Sequence, residues 1–211
     1  LHTAYRRQRQ MCIRDRDGGV MITASHLGPK FNGLKLVGKG GLSLTYDSGI
    51  GKIEKAVKEE KYIPCKYDVV KKDVKEDYLN FLLKEKINFN GKIVVDTGNG
   101  MMGLVIKDVL NRLNVEYTGL YLDVDCSFSH HEANPLKEET LLELKKVVKK
   151  EGASLGIAFD GDGDRLGVVD EKGEPIYGDF LIAIIAKNIL KKGPAKILYD
   201  LRSSRVCLLY T

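Results

Sequence analysis

Apolar and polar positions change rhythm several times along the chain. Residues 1–16 keep neither a two-residue nor a 3.6-residue period and read as a tail. Val20-Met21-Ile22 is a short strand-like run leading into Thr23-Ala24-Ser25-His26. The stretch Leu34 to Thr45 is broken by glycines and suits turns and short strands, while Ile50 to Tyr62 carries Ile53, Ala56 and Val57 at helical spacing. From Asp73 onward Val74, Tyr78, Phe81, Leu82 and Ile87 predict a second helix. Lys92 to Asp96 (KIVVD) predicts a buried strand, Leu104 to Leu113 a helix and Val115 to Leu122 a strand. Asn134-Pro135 is an N-cap and first-turn pair for a helix running to Lys150, with Leu141, Leu144, Val147 and Val148 as its inner face. Ser154 to Phe159 and Leu166 to Asp170 predict two more strands. Asp179 would cap a helix to Lys192 that is apolar on most sides, followed by a strand over Ala195 to Tyr199.

This β-α-β-α-β alternation predicts an α/β fold of consecutive α/β/α layered domains with mixed sheets. The expected partition is a tail at 1–16, the later part of a first domain at 17–72, a complete second domain at 73–173 and the opening of a third at 174–211. One helix and one strand cannot close a core, so the third domain reads as incomplete.

Composition narrows the classes. Hydrophobic residues make up 43% of the 211 and charged residues 30%, as in a globular protein. The apolar run Leu181 to Ala186 is far short of the ~20 residues a membrane span needs, and no signal peptide is visible. The net charge of +5 sits at the ends: residues 1–16 carry net +4 and 202–211 net +2, leaving 17–201 nearly neutral. No nucleic-acid-binding face is predicted. Cys12, Cys65, Cys126 and Cys207 form no CxxC pair, which argues against a disulfide or zinc scaffold and for a cytoplasmic protein.

The segment Asp160-Gly161-Asp162-Gly163-Asp164-Arg165 carries the sharpest chemistry. Three carboxylates alternate with glycines that accept positive φ, so a tight loop can converge them on one point. Converging carboxylates repel unless a cation joins them, and hard oxygen donors suit Mg²⁺. Arg165 is a natural phosphate clamp. A solvated acidic turn is the plain alternative. A calcium-binding EF-hand loop fails because Arg165 stands where that loop needs glycine, and because strands flank it. Ser25, between small and polar residues at a strand end, is a candidate nucleophile or phosphate carrier, although such serines are commonly turn residues. A competing motif is Gly98-x-Gly100-x-x-Gly103 with Asp123 twenty residues on, which has the spacing of a dinucleotide-binding turn. His130-His131 reads as a structural or loop pair, since neighbours on a strand face opposite ways.

Thr23-Ala24-Ser25-His26 with Asn32-Gly33-x-Lys35, together with Asp160 to Arg165, resembles the α-D-phosphohexomutase superfamily, in its phosphomannomutase/phosphoglucomutase branch. Agreement continues through Asp96 to Met101, His130-His131, Asn134-Pro135-Leu136-Lys137, Gly156 to Asp170 and Ser203-Ser204-Arg205, covering roughly residues 17–206. The resemblance implies an intramolecular phosphotransferase acting on a phosphosugar. Ser25 would be the phosphoserine, and Asp160, Asp162 and Asp164 would bind Mg²⁺ with a phosphoserine oxygen. Lys35 would act in acid/base chemistry, Arg165 would steady the phosphoserine and His26 would shape the loop. The reaction implied interconverts hexose 1-phosphate and hexose 6-phosphate through a hexose 1,6-bisphosphate. Thr23 leans toward mannose and glucose rather than a phosphoglucosamine mutase. Oligomeric state is not legible.

Two departures matter. After Ser25-His26 the family pattern is Asn-Pro, whereas Leu27-Gly28 stands here, losing an amide and a rigid ring. The ends, 1–16 and 207–211, resemble translated sequencing-adapter read-through. The chain as written is expected to turn over little or no substrate, and a non-catalytic fragment that keeps the metal loop is the third class of reading.

Overall fold

The computed structural model describes residues 17–64, 66, 68–84, 87–199 and 203–206. The predicted tail, Cys12, Cys65, Cys207, Arg202 and the closing residues from Leu208 lie outside these described residues. Contacts divide the described chain into two units. One holds residues 17–24 with Phe31–Asp73, and the other holds Ser25–Lys30 with residues 74 onward.

The first unit is built on an antiparallel ribbon. Strand β1 (Gly18–Ile22) pairs with β2 (Leu34–Gly38) in a register that sets Val20 against Leu36 and Met21 against Lys35. Thr23 N donates to Gly33 O at 2.9 Å, one step beyond the last pair. Thr45 and Ser48 bond each other's backbone amides in a capping box. Helix α1 (Gly51–Lys58) follows and stops short of the predicted Tyr62, because Glu60 turns left-handed at φ 51°. None of the described residues of this unit is buried, so it draws little from apolar burial.

The second unit opens with helix α2 (Lys75–Leu82), which buries Leu79. Its centre is a five-stranded sheet ordered β4-β3-β5-β6-β7. Strand β3 (Lys92–Asp96) lies parallel to β4 (Glu116–Leu120) on one side and to β5 (Leu155–Phe159) on the other. Strand β6 (Leu166–Asp170) returns antiparallel to β5, and the short β7 (Pro175–Ile176), not foreseen from the sequence, pairs with β6. The sheet is therefore mixed.

The middle of the run KIVVD, Ile93-Val94-Val95, is continuously apolar because β3 is covered on both faces. Alternate residues serve opposite layers. Val94 joins Leu141, Leu144, Val148, Ala158 and Val169 on one face, under helix α4 (Leu142–Glu151). Ile93 and Val95 join Ile106, Leu110 and Val115 on the other, under helix α3 (Ile106–Arg112). Gly152, left-handed at φ 60°, ends α4 and lets Ala153 turn back into the core.

Three sequence expectations give way. Helix α4 begins at Leu142, after a 3₁₀ turn over Glu138–Leu141, and not at Asn134-Pro135. Asn134 is instead a buried turn residue whose side-chain oxygen accepts from Leu136 N, and whose carbonyl accepts from Thr140 Oγ1 at 2.8 Å. Helix α5 (Gly178–Leu190) has Tyr177 as its N-cap, with Asp179 inside the first turn accepting from Ser204 N. Residues 195–199 form no strand. No described strand lies beside them to complete a ladder, and Leu198 is exposed.

Leu144 is fully buried between α4 and the sheet, whereas Ile185 on α5 is exposed. Leu144→Ala should cost about 2–5 kcal/mol in denaturant unfolding. Ile185→Ala should stay within about 0.5 kcal/mol. Equal losses would contradict this placement of the core.

Candidate metal and phosphoserine site

The order of strands reverses at β3, since the chain leaves β3 for β4 on one side and reaches β5 on the other. In open α/β sheets the crevice beyond such a point, at the carboxyl ends of the strands, is where ligands bind. Two loops emerge there: the glycine turn after β3 and the aspartate loop after β5.

The aspartate loop is a hairpin connection from Phe159 to its paired residue Leu166. Gly163 N donates to Asp160 O at 3.0 Å, and Gly163 is left-handed at φ 75°. Gly161 serves a different purpose from the one its sequence suggests. Its φ is not positive, but a Cβ there would stand 2.3 Å from the Ser25 carbonyl oxygen. Only glycine lets the serine loop come this close. The opposite side of Gly161 is held too: its carbonyl accepts from Met101 N at 2.9 Å, and Gly100 backs against it.

The loop gathers the predicted residues of this unit. Ser25 Oγ donates to Asp160 Oδ2 at 3.1 Å, across 135 positions of sequence. Arg165 N donates to the other oxygen, Oδ1, at 3.0 Å, and Arg165 Nε lies 3.9 Å from Oδ2. His26 Nδ1 lies 3.3 Å from Ser25 Oγ, placed to donate to it. Ser25 itself is left-handed at φ 55°, a conformation that costs an L-residue roughly 1–2 kcal/mol. One carboxylate oxygen each from Asp160, Asp162 and Asp164 lies within 4.8 Å of the others. Asp160 is fully buried. Burial above all, with added repulsion from Asp162 and Asp164, pushes its carboxyl above the usual range, against the hydrogen bonds from Arg165 and Ser25. Three hard oxygen donors this close, one of them buried, fit a divalent cation such as Mg²⁺.

Lys35 is exposed on β2 in the first unit, where its register partner is Met21. Of the two departures in the serine loop, Leu27 is exposed and Gly28 borders open space, with nothing within 4 Å of a Cβ built there.

The glycine turn does not behave as a dinucleotide cradle. Its amides are spent inside the protein: Gly98 N on Asp96 Oδ1, Asn99 N on Tyr121 O, Gly100 N on Thr97 O, Met101 N on Gly161 O and Gly103 N on Gly100 O. A phosphate at this turn would have to break several of them. His130 and His131 lie in a loop rather than on a strand. They meet through Tyr121, which stacks on His130 at 4.1 Å and meets His131 edge-on at 5.3 Å. Sequence reasoning gave His131 no acidic partner, yet its Nε2 lies 3.0 Å from buried Asp96 Oδ2. The partner is 35 positions away, so no local spacing announces it.

Two expectations follow. Gly161→Ala should cost about 1–3 kcal/mol of stability through overpacking against Ser25. Gly28→Ala should stay within about 0.5 kcal/mol. Denaturant titration separates them, and a harmless Gly161→Ala would refute the close approach. The second concerns charge. With its native value raised, the Asp160 carboxyl stabilises the metal-free fold fully below its unfolded value of about 3.8 and loses that contribution as pH rises through the native value. Asp160→Asn can donate to Ser25 Oγ and accept from Arg165 N. It should therefore raise the melting temperature of the metal-free chain by a few degrees at neutral pH, and remove any stabilisation by Mg²⁺. A lowered melting temperature with Mg²⁺ stabilisation intact would contradict the assignment.

Among the described residues no helix is long and apolar enough to cross a membrane. A family model described as phosphoglucomutase/phosphomannomutase, alpha/beta/alpha domain II, matches residues 70–173, and the corresponding domain I model matches 7–63. The chain is 41% identical over 199 residues to a phosphomannomutase of Methanocaldococcus jannaschii, covering 90% of this chain and 44% of that relative. It is 35% identical over 192 residues to a phosphoglucomutase of Neisseria meningitidis, covering 89% of this chain and 41% of the relative. A crystal structure of a phosphoglucomutase/phosphomannomutase family protein from Burkholderia thailandensis superposes with TM-score 0.79 at 31% identity, covering 85% of this chain and 39% of that one. The chain thus spans less than half the length of these relatives. With two adjoining domain models of one family matched in order, on an α/β fold that a solved member shares, the chain belongs to the phosphoglucomutase/phosphomannomutase family of the phosphohexomutase superfamily.

Proposed function

We propose that this chain carries the serine loop and the metal loop of an intramolecular phosphotransferase that interconverts hexose 1-phosphate and hexose 6-phosphate, with mannose or glucose as the sugar. The observation that carries the reading is the meeting of Ser25 Oγ with Asp160 Oδ2 beside two further aspartates. The names of the relatives, phosphomannomutase and phosphoglucomutase, support a phosphosugar substrate.

In this reading Ser25 carries a phosphoryl group. It gives that group to the free hydroxyl of a hexose phosphate, whose proton passes to a base, a role assigned to Lys35. The resulting hexose 1,6-bisphosphate returns its other phosphoryl group to Ser25 Oγ, and the sugar oxygen regains a proton. Asp160, Asp162 and Asp164 would hold Mg²⁺ together with an oxygen on Ser25, and the ion when bound supplies neutralisation of phosphoryl charge. The chain's own part is chiefly positional. Asp160 is fixed at both oxygens, one by Arg165 N and one by Ser25, so the serine hydroxyl has a set place. His26 holds Ser25 Oγ from a second direction. Arg165 adds a cation next to Asp160, suited to steadying a phosphate on Ser25.

Incubation of the chain with Mg²⁺ and glucose 1,6-bisphosphate should place phosphate on Ser25, read by phosphopeptide mass spectrometry. Ser25→Ala should abolish the label. Phosphate on another residue, or a label that persists in Ser25→Ala, would overturn the assignment.

A further inference from the structure

Behind the glycine turn lies a polar cluster that the phosphoryl-transfer reading does not use. Asp96, at the end of β3, is fully buried. Its Oδ1 accepts from Gly98 N at 2.8 Å and its Oδ2 faces His131 Nε2 at 3.0 Å. His131 Nδ1 faces the carbonyl of Glu132 at 2.8 Å. A carbonyl offers no proton, so Nδ1 must be the donor there. With Nδ1–H committed, a proton must also lie between Nε2 and the Asp96 carboxylate, or two lone pairs would face each other. The pair is satisfied only as imidazolium and carboxylate, or with the same proton shifted onto Asp96.

From this pair a short path of contacts reaches the aspartate loop. Asp96 holds the amide of Gly98, and a Cβ on Gly98 would meet Ala133 at 3.1 Å and His131 Cε1 at 3.3 Å, so the turn packs closely on the loop that carries the imidazole. Three residues on, Met101 N donates to Gly161 O, and Gly100 backs onto the Gly161 backbone. Gly161 lies between two of the three clustered carboxylates, Asp160 and Asp162.

We propose that His131 is a positioning residue for the aspartate loop: by donating to Asp96 it fixes the glycine turn that holds Gly161, and so sets the affinity of the three aspartates for a divalent cation. This rests on reading Asp160, Asp162 and Asp164 as a cation site.

The surroundings of His131 set the direction of its pH response. Asp96 faces it from β3, Tyr121 from the end of β4, His130 from its own loop beyond Tyr121, and Glu132 through its carbonyl, the Glu132 side chain being paired with Lys137. Glu143 of α4 acts on Tyr121. The hydrogen bond to Asp96 raises the His131 imidazole above its usual value, against the opposing effect of burial. The held geometry is therefore fully present below about 6.5, the ordinary imidazole value, and is lost as pH rises through the native one. This sense is unusual for a carboxylate site, whose cation affinity otherwise rises with pH as its acids ionise.

The test is Mn²⁺ binding to the whole chain, followed by electron paramagnetic resonance of free Mn²⁺ from about pH 6 to about pH 8, the range in which imidazole changes charge. In the unmodified chain affinity should fall as pH rises. His131→Gln keeps a donor but does not titrate, and should bind with the low-pH affinity throughout. His131→Leu should bind about tenfold or more weakly at every pH. Melting temperatures show that each variant is folded. If His131→Leu does not fold, His131→Gln decides alone: a flat profile supports the role and a retained slope overturns it. Equal affinities and equal slopes in all folded forms overturn the positioning role while leaving the cation site standing. An unmodified chain that binds no Mn²⁺ overturns the cation reading and this inference with it.

Discussion

The backbone of Gly161 has no room for a side chain because Ser25 O stands where a Cβ would go, and its carbonyl is held in place by Met101 N. That crowding is the constraint on which the candidate site rests. It brings a hydroxyl from one end of the sequence against a carboxylate from near the other, and it makes the glycine turn after β3 a support for the loop after β5. Ser25 tolerates a left-handed backbone because its neighbours hold it there from several sides. The strain at one residue and the close approach at another are two aspects of one packing solution.

Charge works against this geometry in the metal-free chain. Asp160 is buried among like charges, and its hydrogen bonds from Ser25 and Arg165 only partly offset the cost. Asp96, equally buried, is treated differently by the fold: it is given a histidine and an amide, so its charge is matched within the protein. Of two fully buried aspartates at the ends of adjacent strands, one is matched by a histidine and an amide, and the other lies among like charges with a serine, an amide and a more distant guanidinium.

The sequence was most legible where one local pattern sufficed. KIVVD reads as a doubly covered strand because Ile93, Val94 and Val95 are apolar in unbroken succession, and Leu166 to Asp170 has the bounds of β6. Spacing alone singled out Asp160, Asp162 and Asp164, which the fold does cluster. Elsewhere local cues were overruled. Asn134-Pro135 has the look of a helix start, but Asn134 is more useful folded into a buried turn, with Pro135 seated against Gly167. A segment at 195–199 with strand-like composition forms no strand, because strands are made by partners. The pairing of His131 with Asp96 was invisible since both halves look ordinary alone. Gly161 was rightly noticed for the wrong reason: closeness to Ser25, and not positive φ, demands it.

The pairing of Phe159 with Leu166 also fixes how many residues the aspartate loop contains. Because side chains alternate along β6, inserting or deleting one residue between those partners would turn Val169 out of the core and bring its neighbours in. Such a change would be rejected as a misfolded sheet before any ligand met it. The length of the loop is thus tied to the register of β6.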